Sequence, residues 1–155
     1  MGFDLTAEQQ MLSDAIRTFV DRECVPHEDL VEQTRQVPPD LIEQIRSRSI
    51  AAGYYALNMP AEHGGGGLGH YERAVTEFQF GRTIRALQMI CNRPAPILKA
   101  CRDDQIETYL KPTIRGERLD CFALTEPGAG SDARAIITRA VADGDDYVIN
   151  GSKQF

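Results

Sequence analysis

The hydrophobic period of this chain changes once, at Cys121, and that change limits its possible folds more than any other feature. Up to Gly116 the apolar residues recur at helical spacing. Thr6 and Gln9 form a capping box, each side chain serving a helix-start N–H that would otherwise lack a partner. Behind it Met11, Leu12, Ala15, Ile16, Phe19 and Val20 mark a first helix that Pro26 ends. Pro38, Pro39 and Asp40 open a second, with Leu41, Ile42, Ile45 and Ser49 on one face and Gly53 as a left-handed stop. After the loop PAEHGGGGLGH a third helix carries Tyr71, Ala74, Val75 and Phe78. A fourth, RTIRALQMI, is interrupted near Pro94 and Pro96, because proline lacks the N–H and clashes with the preceding turn. Asp103 is placed to cap a fifth, with Ile106, Tyr109 and Leu110 inward and its end near Gly116. Five amphipathic helices over residues 1–120 predict a bundle.

Over residues 121–155 the pattern is that of strands. CFALT is a short strand-like run, AIITRAVA alternates in part at period two, DGDD is a turn, and YVIN returns as a strand. Asn150-Gly151 is a strong hairpin signal, with SKQF starting a further strand. The fold class is therefore mainly α, a helical bundle followed by the first strands of an incomplete antiparallel sheet. Such a sheet leaves unpaired edges, which folded proteins cover. The expectation is a chain that is the front part of a longer protein, or one completed by a second chain.

At 155 residues, 42% apolar and 26% charged, the composition is that of a soluble globular protein. The net charge of −6 argues against nucleic acid as a partner, and a polyanionic ligand would need local donors to overcome the repelling field. Cys24, Cys91, Cys101 and Cys121 form no C-x-x-C pair and read as buried free thiols of a reducing compartment. The first ten residues resemble no leader, and no apolar run reaches membrane-spanning length; the expected location is cytoplasmic, with no membrane span.

Most candidate sites have a plainer account. Gly64, Gly66 and Gly69 satisfy G-x-G-x-x-G, but no strand precedes them and no acid lies where a ribose would need one, so a flexible loop between helices is favoured. His27, His63 and His70 show no metal spacing, which leaves no metal site expected. No G-x-S-x-G elbow is present to make Ser131 a nucleophile. Glu62 and Glu126 read as single carboxylates with solvated or capping roles. TEPGAGSD differs in kind. Pro127 denies a strand N–H, Gly128 and Gly130 permit positive φ, and successive amides with the Thr125 and Ser131 hydroxyls form an anion-binding concavity. From the residues alone a plain turn, with Asp132 bonding its own backbone, is favoured over a binding site, and no ligand can be named.

ALTEPGAGSDARAI followed by GDDYVINGSKQF resembles the signature region of the acyl-CoA dehydrogenases, in which an apolar strand enters T-E-P-x-x-G-S-D and an N-G-x-K segment follows. LTAEQQMLSDAIRTFV, NMPAEHGGGGLG and DDQIETYLKPTIRGE are similar to that family's opening helix, its P-E-x-x-G-G-x-G loop and its Q-x-x-Y-L helix. The resemblance implies an N-terminal helical domain over 1–120 and the beginning of a middle β-barrel domain over 121–155, with a C-terminal helical domain to follow. It implies FAD as cofactor, with Phe122, Ala123, Leu124, Thr125, Gly130 and Ser131 lining it, Thr125 bonding the ring, and Gly130 and Ser131 near the pyrophosphate. Ser131 would also approach the acyl-CoA substrate. Phe155 stands where the family places an aromatic, often Trp, against the isoalloxazine.

The implied reaction is α,β-dehydrogenation of an acyl-CoA thioester, with electron-transfer flavoprotein or a similar acceptor and a homo-oligomer, the family tetramer, as partners. The family's base lies in the C-terminal domain, so no catalytic residue is assigned here and the chain alone is expected to be inactive. A non-catalytic helical subunit of the same fold is the alternative, and oxidases and flavin monooxygenases of that fold stay open. Two departures stand out: the stretch from Arg82 to Pro96 is shorter than its family counterpart, and Cys101 and Arg102 replace small residues before the Q-x-x-Y-L helix. Arg85, Gln88 and Arg93 are either contacts for a polar acyl group or exposed helix charges.

Overall fold

A computed structural model describes residues 4–92 and 94–155. The chain divides into two compact units, Met1–Asp120 and Cys121–Phe155. The first holds α1 (Ala7–Glu23), α2 (Glu28–Thr34), α3 (Pro39–Ala51), α4 (His70–Phe80), α5 (Arg85–Asn92) and a last helix that starts as a π-helical segment, Ile106–Leu110, and continues as α6 (Lys111–Ile114). The second holds β1 (Arg139–Asp143) and β2 (Asp146–Asn150).

In the helical unit the capping box at Thr6 and Gln9 forms as expected. From α1, Ile16, Phe19, Val20 and Cys24 enter the main core, where they meet Val31, Leu41, Ile45, Phe80, Leu87 and Cys91. The Ser49 hydroxyl donates to the Cys91 carbonyl and ties α3 to α5. Gly53 takes φ +75° just after α3, the left-handed stop the sequence suggests. Glu23 is 3% exposed at the end of α1. Burial would raise its pKa, but hydrogen bonds from Arg48 and Arg22 outweigh that and hold it below the usual range.

Three helical expectations need correction. The short α2, which buries only Val31, is not evident from periodicity, since one inward residue leaves no repeat to detect. The stripe Tyr71, Ala74, Val75 and Phe78 lies largely at the surface, with Phe78 74% exposed, while Thr76 and Phe80 are the buried residues of α4. Asp103 does not occupy an N-cap geometry. It has φ +49°, and the side chain of Gln105 accepts the Arg102 N–H instead. The π turn has a local cause in Pro112, whose missing N–H and bulky ring exclude a regular α turn around Thr108.

The four-glycine loop is tightly held rather than slack. The amides of Gly65, Gly66 and Gly67 donate to Pro60, Ala56 and Met59 carbonyls at 2.9, 2.9 and 2.8 Å. A Cβ on Gly65 would lie 2.6 Å from Met59 Cβ, so the close approach itself demands glycine. With those amides already bonded, the loop has no row of donors to offer a phosphate. It packs beside a second core of Tyr55, Ala56, Met59, Leu110 and Ile114.

In the β unit, β1 and β2 pair antiparallel with Arg139 opposite Asn150 and Val141 opposite Val148. The turn falls at Gly144-Asp145, where Gly144 has φ +63°. The Asn150-Gly151 hairpin is not formed, and neither residue takes a positive φ. Gly151 instead meets Thr138 so closely that a Cβ there would stand 2.6 Å from the Thr138 Cβ. CFALT and SKQF are extended but belong to no ladder; one backbone bond, from Gln154 N–H to the Thr125 carbonyl at 2.9 Å, joins them.

Candidate functional site

The TEPGAGSD bend is closed by reciprocal backbone bonds, Glu126 N–H to Ala129 carbonyl and Ala129 N–H to Glu126 carbonyl, both 3.1 Å. Proline and glycine at the two intervening positions suit so tight a turn. Glu126 is 3% exposed. Its Oε2 accepts the Ile137 N–H at 2.9 Å, and its Oε1 accepts the Thr138 N–H and the Lys153 ammonium, both at 3.0 Å. Lys153 Nζ also donates to the Leu124 carbonyl at 3.2 Å. The carboxyl is pulled down to about 2 by the nearby Thr138 hydroxyl, then the Ile137 amide, with Lys153 and the Thr138 amide adding to them against burial. The Thr138 hydroxyl exerts this by proximity, since it is buried without an aligned hydrogen-bond partner.

Glu126 is thus neither solvated nor a simple cap, contrary to the expectation from sequence. Its partners lie 11, 12 and 27 residues away, so no local pattern announces them. Gly151 and Lys153 stand in the N-G-x-K segment, but their contacts with Thr138 and Glu126 escape a sequence reading for the same reason. The one available hint is an acid fixed between Thr125 and Pro127, in an extended run whose neighbours face outward.

The clamp leaves the remaining motif residues open to solvent. Phe122 is 74% exposed, Leu124 39% and Phe155 99%, while Ala123, Thr125, Gly130 and Ser131 are also exposed. Among the described residues, the amides of Ala123, Leu124, Thr125, Gly130 and Ser131 meet no acceptor. A Cβ at Gly128 or Gly130 would touch nothing within 4 Å. Asp132 accepts the Arg134 N–H at 3.1 Å, the local backbone bond expected of it. The bend combines both readings made of it, being a braced turn with a row of unpaired donors.

Elsewhere the candidates lead to surface roles. Arg85 donates to Gln88 at 3.2 Å, so these two engage each other on an exposed stretch of α5, and Arg93 lies outside the described residues. Among the described residues no helix is long and apolar enough to cross a membrane.

Family models match almost all of the chain: that of the acyl-CoA dehydrogenase N-terminal domain covers residues 6–117, and that of the middle domain covers 121–155. The chain belongs to the acyl-CoA dehydrogenase family. It is 34% identical over 97% of its length to a 3-(aryl)acrylate reductase of Clostridium sporogenes, of which it covers 40%. It is 32% identical over 96% of its length to the caffeyl-CoA reductase-Etf complex subunit CarC of Acetobacterium woodii, again covering 40%. An acyl-CoA dehydrogenase of Bacillus anthracis, solved in complex with FAD, superposes on 97% of this chain with TM-score 0.77 and 29% identity; the match covers 26% of that chain. This acyl-CoA dehydrogenase chain therefore spans about 40% of the length of the curated relatives it matches.

The family's flavin can be tested against the residues present. An isoalloxazine is flat, apolar on its faces, and carries carbonyl and ring-nitrogen acceptors along one edge. An extended strip with outward apolar side chains and unpaired N–H groups suits it, and the Gly130–Ser131 amides suit a phosphate. The family residues present here fit the group.

Proposed function

We propose that this chain forms the cofactor-facing part of an FAD-dependent acyl-CoA dehydrogenase, which interconverts an acyl-CoA thioester and its α,β-unsaturated counterpart. In this reading residues 1–120 are the N-terminal helical domain, and 121–155 begin the middle β-barrel domain. The observation that carries it is the exposed strip Phe122–Thr125, braced from beneath by Glu126, with its amides unpaired and Phe155 tied next to it. FAD, when bound, supplies the hydride acceptor.

Each residue then has a task its surroundings permit. Phe122 and Leu124 offer apolar contact and exclude water from one side of the ring. Ala123 keeps the strip thin, and the amides of Leu124 and Thr125, with the Thr125 hydroxyl, donate to its polar edge. Gly130 and Ser131 present amides to the pyrophosphate, and the Ser131 hydroxyl approaches the acyl-CoA. Phe155 stacks against the ring. Glu126 is not the base that takes the α-proton: a carboxylate held at about 2 and already accepting three hydrogen bonds lacks the basicity for it. In this reading that role falls to the family's C-terminal domain, beyond Phe155, so residues 1–155 alone do not turn over substrate.

The acceptor for the electrons is an electron-transfer flavoprotein. The name of the Acetobacterium relative, which places it in an Etf complex, supports this. The deciding experiment is titration of the purified chain with FAD, followed by flavin fluorescence and by the visible absorption band. Saturable quenching and a shifted band are expected. Their absence at high micromolar FAD would overturn the assignment of Phe122–Ser131 and Phe155, and turnover of acyl-CoA by the chain alone would overturn the placing of the base.

A further inference from the structure

We propose that Glu126 and Lys153 are positioning residues that hold the strip Phe122–Thr125 and the aromatic Phe155 in register, so that the two halves of the flavin-facing surface are assembled before the flavin arrives. The inference rests on the FAD reading above and deepens it.

Phe155 is 99% exposed, so packing does not hold it in place. Among the described residues, 151–155 make one backbone hydrogen bond, from Gln154 to Thr125. A lone bond of this kind, exposed to water, contributes about 1 kcal/mol and does not by itself fix a segment in one register. Lys153 supplies what is missing. Its ammonium bridges the Leu124 carbonyl and the Glu126 carboxylate, giving three bonds across the gap between strips.

Glu126 is in turn fixed by the Ile137 and Thr138 amides at the entrance to β1, so the bridge ends on a rigid anchor. Charge-assisted bonds are the strong ones, and a carboxylate receiving three donors has little freedom to rotate. Gly151 adds a steric condition, because its missing side chain lets the backbone pass against Thr138 on the way to Lys153. The five-pair register of β1 and β2 uses none of these groups. Ordering of Phe155 is therefore separable from folding of the hairpin, and this separates a positioning role from a merely structural one.

The chain contains no tryptophan, so Phe155→Trp installs a single indole at the position in question. In the full chain without FAD, the fluorescence anisotropy of that indole is expected to decay with overall tumbling. Adding Glu126→Gln or Lys153→Met should convert most of it to fast local motion, while Lys153→Arg restores the slow decay. Amide exchange at Val141 and Val148 should stay unchanged in all of them. With FAD present, quenching of the introduced indole should be strong in the Phe155→Trp parent, and the dissociation constant should rise roughly tenfold in the Gln and Met variants, the loss expected when binding must order a loose segment. Unchanged anisotropy in both variants overturns the clamp, and so does loss of hairpin protection alongside it, which would make the pair a folding element. Failure of FAD to quench the parent indole overturns the flavin reading alone, since the anisotropy without FAD decides the clamp independently.

Discussion

At the residue scale, Glu126 makes the bracing of the TEPGAGSD bend depend on pH with a definite sign. Its carboxyl sits at about 2 when folded, against 4.5 as the ordinary value. A lowered folded pKa stabilises the native state fully above the unfolded value and loses that contribution as pH falls toward the folded one. Protection of the Ile137 and Thr138 amides against exchange should therefore be flat above about pH 5 and should fall steadily between about pH 4.5 and 2. Glu126→Gln should lower the plateau and remove most of that slope; an identical slope in the variant would assign the transition to another group. Gly151→Ala tests steric fit, because the new Cβ would press on the Thr138 side chain and on its Cα at 2.8 Å. A loss of about 1–3 kcal/mol in urea unfolding is expected, as for other overpacked sites. Neither contact is visible in sequence. Glu126 looks like any acid in a turn, and Gly151 looks like half of an Asn-Gly hairpin, because local pattern does not record what a residue meets many positions away.

At the scale of elements, the opening of α1 is the most directly testable. Thr6→Ala removes the hydroxyl that accepts the Gln9 N–H and should cost the helical unit about 1 kcal/mol, read as a lower urea midpoint with unchanged slope. A change below a few tenths would mean that another acceptor replaces it. This cap is legible because it is complete within four residues, and the proline start of α3 and its glycine stop are legible for the same reason. The turn at DGDD is legible in the same way, whereas the further hairpin expected at Asn150-Gly151 is not formed. Asn150-Gly151 satisfies the turn chemistry, but Gly144-Asp145 sits between runs that can pair residue for residue, and the ladder decides between them. The π segment before α6 is hidden because the spacing of Ile106, Tyr109 and Leu110 reads as one regular helix running to Gly116, whereas ahead of Pro112 the helix widens and then continues. In the site itself, the exposed strip is legible through resemblance, and the carboxylate bracing it is not.

At the scale of the whole molecule, a net charge of −6 works against a ligand that is itself polyanionic. In the proposed function local amides would hold such a ligand at contact, while the long-range field would slow its approach. Raising ionic strength from about 0.01 M to 0.15 M shortens the screening length from about 30 to 8 Å, so the association rate for FAD should increase with salt. Stopped-flow flavin fluorescence measures it directly. A rate that falls with salt would reveal an attractive basic funnel and contradict this account.

Chain order in the clamp also sets a timetable for synthesis. The helical unit closes at Asp120, but the bend at Glu126 lacks its bracing cation until Lys153 has been added 27 residues later. At about 5–20 residues per second that interval is about 1–5 s of elongation. A growing polypeptide thus completes its bundle first, and the bend at Glu126 acquires its bracing cation only after Lys153 is in place.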